Sequence, residues 1–509
     1  MSAPKASEQR AHKRTHAHAP GGMLDSMAIR TALVSLRPNR LGLLAFILAL
    51  MVALAACGSP TSSTDNTNSS NNTATNSDAD TSQTNTGNTG SDAQSSTNKP
   101  IEVVWWHAMG GELGKAVDAL VEAFNKSQND IVVKAVFQGS YDEELNKLKA
   151  SLGTKNAPTL VQVYEIGSRF MIDSGAIEPM QTWIDKDNFD ISSLEPNILG
   201  YYTFDGKLYS MPFNTSNPIL YYNKDMFRAA GLDPEKPPRT YEEFTEITKQ
   251  LTKDGKYGAS FAIYGWFMEQ FFAESGAELV NNGNGRDALA TESLLNSEAG
   301  INTLTWWKNM VDAGTMLNLG RKTDDTRQAF GAGKVAMILD STAALRGIVN
   351  GVGDKFEVGT GFLPHPQSVT DGGVIVGGAS LWMLKEKSEE EKAAAWQFIK
   401  FLTSPEIQAQ WHINTGYFPI TTKAYDLDIV KENMNQFPQF RTAVDQLHAT
   451  TLNNATKGAV MGVFPEARQI TERAMEEAIN GQKSVKDALD QAANEITQKI
   501  QQYNRSIGK

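Results

Sequence analysis

The residues of this chain that could perform turnover are four histidines, a few loop carboxylates and some glycine pairs, and their spacing argues for binding instead. His107, His365, His412 and His448 are scattered, without the short intervals of a metal site. Asp185, Asp187 and Asp190 lack the calcium-loop pattern. Gly331-Ala332-Gly333-Lys334 is no phosphate loop, because its first glycine is too close and Val335 stands where Ser or Thr is needed. Gly372-Gly373 and Gly377-Gly378 bracket a strand rather than opening a helix, so no dinucleotide fingerprint is present. No serine sits in a nucleophile elbow. What remains is hydrogen-bonding and aromatic surface at strand ends: Tyr141, Glu165, residues 212–218 and Tyr264-Gly265-Trp266. In open α/β sheets, ligands sit at such ends. This chemistry recognises a small molecule and needs no metal or cofactor. The chain reads as a binder, not an enzyme.

Alternating elements must position these groups. Residues 101–106 and 131–137 are apolar strands, and 113–124 between them has helical spacing through Leu113, Val117, Leu120, Val121 and Phe124. A helix over 141–152 and a third buried strand over 159–164 follow. Later come helices over 240–252, 297–313 and 388–403, strands near 335–339 and 374–384, and a helical tail over 465–504. The alternation implies α/β lobes built on mainly parallel sheets covered on both faces. The globular part, from Pro100 onward, is long enough for two separate cores.

The first hundred residues speak to location. An uncharged apolar run over 41–56 follows a basic segment and ends in Leu54-Ala55-Ala56-Cys57. Its 16 residues suit a signal-peptide core and fall short of a comfortable membrane span. The small residues before the chain's single cysteine resemble the lipobox of bacterial lipoproteins, which implies removal of 1–56 and lipidation of Cys57. The leader carries seven basic residues against two acidic ones, so its loss takes the net charge from −11 to −16. An acidic product is a poor partner for nucleic acid. Residues 57–99 form a Ser/Thr/Asn-rich linker that is expected to be disordered. Its reach is roughly 35 Å, enough to hold a domain off a membrane. The expected location is the extracytoplasmic face of the cell membrane, lipid-anchored.

From residue 101 to the C-terminus the chain resembles the bacterial solute-binding proteins of ABC transporters, the family that includes maltose-binding protein, and especially the glycerol-3-phosphate-binding proteins. The segments that carry the resemblance are Trp106-His107 with Gly111-Glu112-Leu113-Gly114-Lys115, Gln162-Val163-Tyr164-Glu165, and Pro212-Phe213-Asn214 with the Tyr222-Asn223-Lys224-Asp225 piece. Gly377-Gly378-Ala379-Ser380-Leu381-Trp382 and Trp411-His412 followed by Thr415-Gly416-Tyr417 complete them. The resemblance implies a two-lobed, type II periplasmic-binding-protein fold with hinge crossovers. It places lobe 1 at 101–214 and 376–416 and lobe 2 at 215–375 and 417–509. It implies a ligand site of Tyr141, Glu165, Ser216, Trp266, Ser341, Gly378, Tyr417 and Arg468, with Tyr141, Glu165 and Gly378 on one wall. Ser216, Trp266, Ser341 and Arg468 would form the other, with Tyr417 near a crossover.

Under this resemblance the ligand is glycerol 3-phosphate or a glycerophosphodiester such as glycerophosphocholine. Arg468 would fork onto the phosphate, Glu165 would accept from the glycerol hydroxyls, and Trp266 would cover the carbon skeleton. Relatives of the best-known type hold the ligand between two tryptophans. Here Ile263 replaces the first, with Tyr264 beside it. The implied partners are the small ligand and a membrane permease, with the protein acting as a monomer. Two rivals remain at this level: a binder of neutral sugars or oligosaccharides on the same fold, and an extracytoplasmic phosphodiesterase.

Overall fold

The computed structural model describes residues 99–509. The leader, Cys57 and nearly all of the linker lie outside the described residues.

Strand β1 (Ile101–His107) pairs in parallel with β2 (Ile131–Phe137), and Ile101 faces Ile131 in the register. The helix Gly111–Ser127 connects them and buries Val117, Leu120 and Phe124, as its spacing predicts. Strand β3 (Leu160–Tyr164) lies parallel on the other side of β1, and all five of its residues are buried. The short β4 (Ile177–Glu178) and a small hairpin of β5 (Thr203–Phe204) and β6 (Lys207–Leu208) lead to β7 (Met211–Ser216). The later strands are β8 (Pro218–Asn223), β9 (Tyr257–Ser260), β10 (Val335–Ser341), β11 (Val358–Gly361) and β12 (Gly377–Leu384).

Two main sheets result. One has the order β2-β1-β3-β12-β4, with β7 also paired to β12; the other runs β11-β8-β10-β9. Trp105 anchors the first core, packing edge-on against Phe213 and Phe398 at 5.7 and 5.4 Å. In the second, Trp306 lies between Tyr241, Phe244 and Phe271. Helices Tyr241–Leu251 and Glu389–Leu402 start on capping boxes set by Thr240 and Ser388.

One expectation is corrected. The sheets are mixed rather than mainly parallel, because only β1–β2, β1–β3 and β9–β10 run parallel. Strand β12 pairs with β3, β4 and β7 antiparallel. It follows β11, a strand of the other sheet, so no strand–helix–strand unit within one sheet fixes its direction. The tail is helical as expected, in two helices, Phe464–Ile479 and Val485–Ser506. Ser484 ends the continuity by capping the second, its side chain accepting from the Asp487 N–H.

The single residue Asn217 separates β7 of the first sheet from β8 of the second, and the chain returns through 362–376 into β12. Among the described residues no helix is long and apolar enough to cross a membrane.

Candidate functional site

The first wall of the site is built where strands of the six-stranded sheet end. After β2, Ser140 starts the helix Tyr141–Ser151 through a capping box with Glu143, which puts Tyr141 in its first turn. Tyr141 stacks on Tyr164, the last residue of β3, at 5.2 Å and 17°. Glu165 follows at once in a 3-10 turn and is buried. A relay of amides fixes the tyrosine hydroxyl. The Ala108 N–H donates to Gln162 Oε1 (2.9 Å), Gln162 Nε2 to Asn214 Oδ1 (2.7 Å), and Asn214 Nδ2 to Tyr141 Oη (2.9 Å). Because the backbone N–H can only donate, the direction of the whole chain is set. Burial, reinforced by the neighbouring Tyr417, raises the Tyr141 pKa well above its ordinary value, so the hydroxyl keeps its proton to donate into the site.

Strand β12 brings in two glycines, each for a steric reason. A Cβ at Gly377 would lie 2.4 Å from the Trp266 ring, and one at Gly378 would lie 1.9 Å from the Asn214 carbonyl oxygen. Gly378 also has a φ of +92°, in the left-handed region. Ser216 ends β7 opposite Gly377 in the register. It therefore stands on the first wall, not on the second as the lobe boundary implied. Both β7 and β8 are wholly buried, so nothing in the residue pattern marks where the chain changes sheets. Tyr417 joins through the turn after the helix Pro405–Thr415, where His412 Nδ1 lies 2.7 Å from the Tyr417 carbonyl oxygen. Burial lowers the His412 pKa to about 4, so the ring is neutral and its Nδ1–H donates to that carbonyl.

The second wall is ionic. Arg468, on the helix Phe464–Ile479, is 7% exposed. Its Nε and Nη2 fork onto Glu269 at 2.7 Å each, and Nη2 also reaches Glu165 Oε1 at 2.6 Å. Burial alone would favour the neutral guanidine, but the Glu269 and Glu165 carboxylates overcome it and raise the Arg468 pKa. Burial in turn raises the Glu269 pKa against the pull of Arg468. Nη1 donates to no described residue. Glu472 stands behind this cluster and accepts from the Gly265 N–H at 3.0 Å. Ser341, at the end of β10, accepts from the Ala343 N–H at 3.1 Å and keeps its own proton free. Beside it, burial pushes the Asp340 pKa up to about 6, against Arg327 and the Ser341 N–H.

All eight residues expected from sequence line one cavity of about 230 Å³: Tyr141, Glu165, Ser216, Trp266, Ser341, Gly378, Tyr417 and Arg468. Ile263 is not among its walls, being a core residue 1% exposed, whereas Tyr264 is. Sequence reading missed Glu269, Arg327 and Asp340, and quoted Asn214 only within the 212–218 piece without giving it a role. Glu269 had one available signal, since it follows Trp266 by three residues and so shares its helix face. A second, larger cavity of about 960 Å³ shares Leu113, Arg327, Ala343 and Ala344 with the first. Among the described residues no His, Cys, Asp and Glu group has the arrangement of a metal site.

Residues 119–439 match the family described as bacterial extracellular solute-binding protein. The sn-glycerol-3-phosphate-binding periplasmic protein UgpB of Salmonella typhimurium is 36% identical over 413 residues, which is 79% of this chain and 93% of that protein. UgpB of Escherichia coli K12 is 35% identical over 423 residues, covering 82% and 95%. Among solved structures, UgpB from Mycobacterium tuberculosis in complex with glycerophosphocholine has a TM-score of 0.68 at 24% identity, covering 80% of this chain and 99% of that one. The sugar-binding protein MalE from Xanthomonas citri has a TM-score of 0.67 at 21% identity, with 80% and 99% coverage. These two likenesses establish the fold: two-lobed and α/β.

Proposed function

The chain belongs to the bacterial extracellular solute-binding protein family, and we propose that it captures glycerol 3-phosphate or a glycerophosphodiester between two lobes for delivery to an ABC permease. The observation that carries this reading is Arg468, buried at the meeting of both walls with Nη1 uncommitted. Charge-assisted bonds from a guanidinium to a phosphate are strong ones. The Tyr141 hydroxyl, the Ser341 hydroxyl and the Gly378 backbone N–H add donors, and Glu165 accepts from glycerol hydroxyls. Ligand contacts to both walls stabilise the closed arrangement only to the extent that the open one lacks them. Binding, not turnover, is the expected event.

The diester is favoured by charge. Arg468 and Arg327 face three carboxylates, those of Glu165, Glu269 and Asp340. A phosphomonoester dianion meets more opposition there than a diester with its single negative charge, which in glycerophosphocholine is also matched by the choline cation. Tyr264 and Trp266 offer aromatic faces to a quaternary ammonium. The hinge lies at Asn217 and at 362–376, which refines the lobe boundaries expected from sequence. The protein works as a monomer, tethered through lipidated Cys57 at the outer face of the membrane.

Calorimetry with glycerol 3-phosphate, glycerophosphocholine and maltose tests the reading. Micromolar or tighter binding of a glycerophospho compound, with none of maltose, is expected. Heat with maltose alone would transfer the protein to the neutral-sugar binders. Steady hydrolysis of glycerophosphocholine would make it an enzyme.

A further inference from the structure

Four of the described residues lining the inner cavity carry charge: Glu165, Asp340, Arg327 and Arg468. Arg468 is largely committed, because its Nε and Nη2 bond Glu269 and Nη2 also bonds Glu165, which leaves Nη1 alone for a ligand. An anion placed against that cluster meets two carboxylates and one guanidinium. It needs a further cation, and the remaining one on the cavity is Arg327.

Arg327 rises from the helix Thr323–Gly331 and is half-buried. It lines this cavity and the larger one beside it alike, so it stands where the two meet. Its anchoring uses two of its three nitrogens. Nε lies 2.8 Å from Asp340 Oδ2, yet neither atom makes a hydrogen bond of good geometry. Nη2 is held at 2.7 Å from Thr323 Oγ1 and 3.1 Å from Asp324. Nη1 donates to no described residue. Each arginine thus keeps one nitrogen for a ligand, and a phosphate has two or more terminal oxygens to receive them.

We propose that Arg327 is a second ligand-binding arginine, which holds the ligand's phosphate jointly with Arg468 and closes the inner cavity. This rests on the glycerophosphoester reading above. Asp340 is then a positioning residue, keeping the Arg327 side chain over the cavity mouth.

Titration calorimetry on the purified protein and its R327Q, R327K and D340N variants, with glycerol 3-phosphate and glycerophosphocholine, tests the proposal. R327Q is expected to bind both compounds roughly ten- to a hundredfold more weakly, with the larger loss for the dianionic monoester. R327K keeps the charge without the fork and should fall between R327Q and the unaltered protein. The loss of affinity with added salt should be shallower in R327Q, a readout that a purely structural role would leave unmoved. D340N should cost less than R327Q. Binding by R327Q within about threefold of the unaltered protein, at an unchanged salt slope, overturns the proposal and leaves the glycerophosphoester reading standing. Failure of the unaltered protein to bind either compound removes both. Arg327 is half-buried at a cavity mouth, so folding is not expected to limit the comparison; if R327Q fails to fold, R327K decides by its affinity, a loss upholding the proposal and binding within about threefold of the unaltered protein overturning it.

Discussion

The two walls of the cleft hold their polar groups by different physics. The first uses a neutral relay, Ala108 to Gln162 to Asn214 to Tyr141, and presents one ionised group, Glu165. The second uses ion pairs, with Arg468 between Glu269 and Glu165 and Arg327 against Asp340. A relay of amides is cheap to bury and strict about direction. An ion pair costs desolvation and leaves a residual charge when one member is removed. The first wall is therefore suited to orienting a ligand, and the second to deciding which charge it carries.

The largest expected effect breaks the ionic wall at its centre. Arg468→Ala leaves Glu165 and Glu269 buried without their cation. Removing one partner of such a cluster costs about 3–5 kcal/mol of stability, and affinity for glycerol phosphoesters should fall below detection. Denaturant melts and calorimetry read the two losses separately. A variant as stable as the parent would mean that Glu269 takes up a proton and replaces the pair at no net cost.

Cutting the neutral wall should cost less. Asn214→Ala removes the middle of the relay and leaves the Gln162 amide without its acceptor. The expected destabilisation is about 1–3 kcal/mol. Affinity should fall roughly tenfold, because the Tyr141 hydroxyl is free to turn its proton elsewhere. If affinity is unchanged while stability drops, the relay supports the fold alone.

What the sequence displayed of this site follows from the same contrast. The first wall was readable because its residues adjoin strands with strong patterns, such as the β-branched run 131–137 and the buried run 160–164. The second wall was legible at Trp266, in the Tyr264-Gly265-Trp266 piece, and at Arg468 and Ser341 through family likeness alone. Glu269 sits in a helix whose ten residues are all buried, so it reads as part of an apolar core element. Its partner Arg468 lies 199 residues away, and no local spacing can signal such a pair. The helix Thr323–Gly331 buries only Thr326 and Phe330, too few for a periodic signal, and Arg327 went unnoticed with it. Asp340 lies just past the strand expected near 335–339, so it drew no reading of its own.

A buried acid behind the first wall gives a pH test of its neutrality. Glu144 is 1% exposed, and both its oxygens lack a hydrogen bond. Burial pushes its pKa up to about 9, slightly offset by Lys147. The folded state thus holds this proton more tightly than the unfolded chain. Its contribution is fully present below the unfolded value near pH 4.5 and is lost as pH rises towards 9. Glu274, with its pKa raised by burial to about 8, adds a slope of the same sign. Glu144→Gln should therefore be neutral near pH 4 and stabilising by about 1–3 kcal/mol at pH 9, since the amide never ionises. Thermal melts across that range check it. A parallel shift at every pH would show that Glu144 is solvated as an anion.

The smallest effect separates the two ligand types that the ionic wall must tell apart. Trp266 is held against Gly377 on the first sheet, and its ring lines the cavity with Tyr264 and Phe267. For glycerol 3-phosphate the ring supplies only apolar cover, which leucine largely replaces, so Trp266→Leu should weaken binding a few-fold. For glycerophosphocholine the ring also faces a quaternary ammonium, an attraction of about 0.5–2 kcal/mol that leucine cannot offer. The variant should therefore lose more affinity for the choline ester than for the monoester, by roughly two- to thirtyfold on that range. Equal losses for both would move the cation away from Trp266, leaving Tyr264 as the aromatic face beside the headgroup.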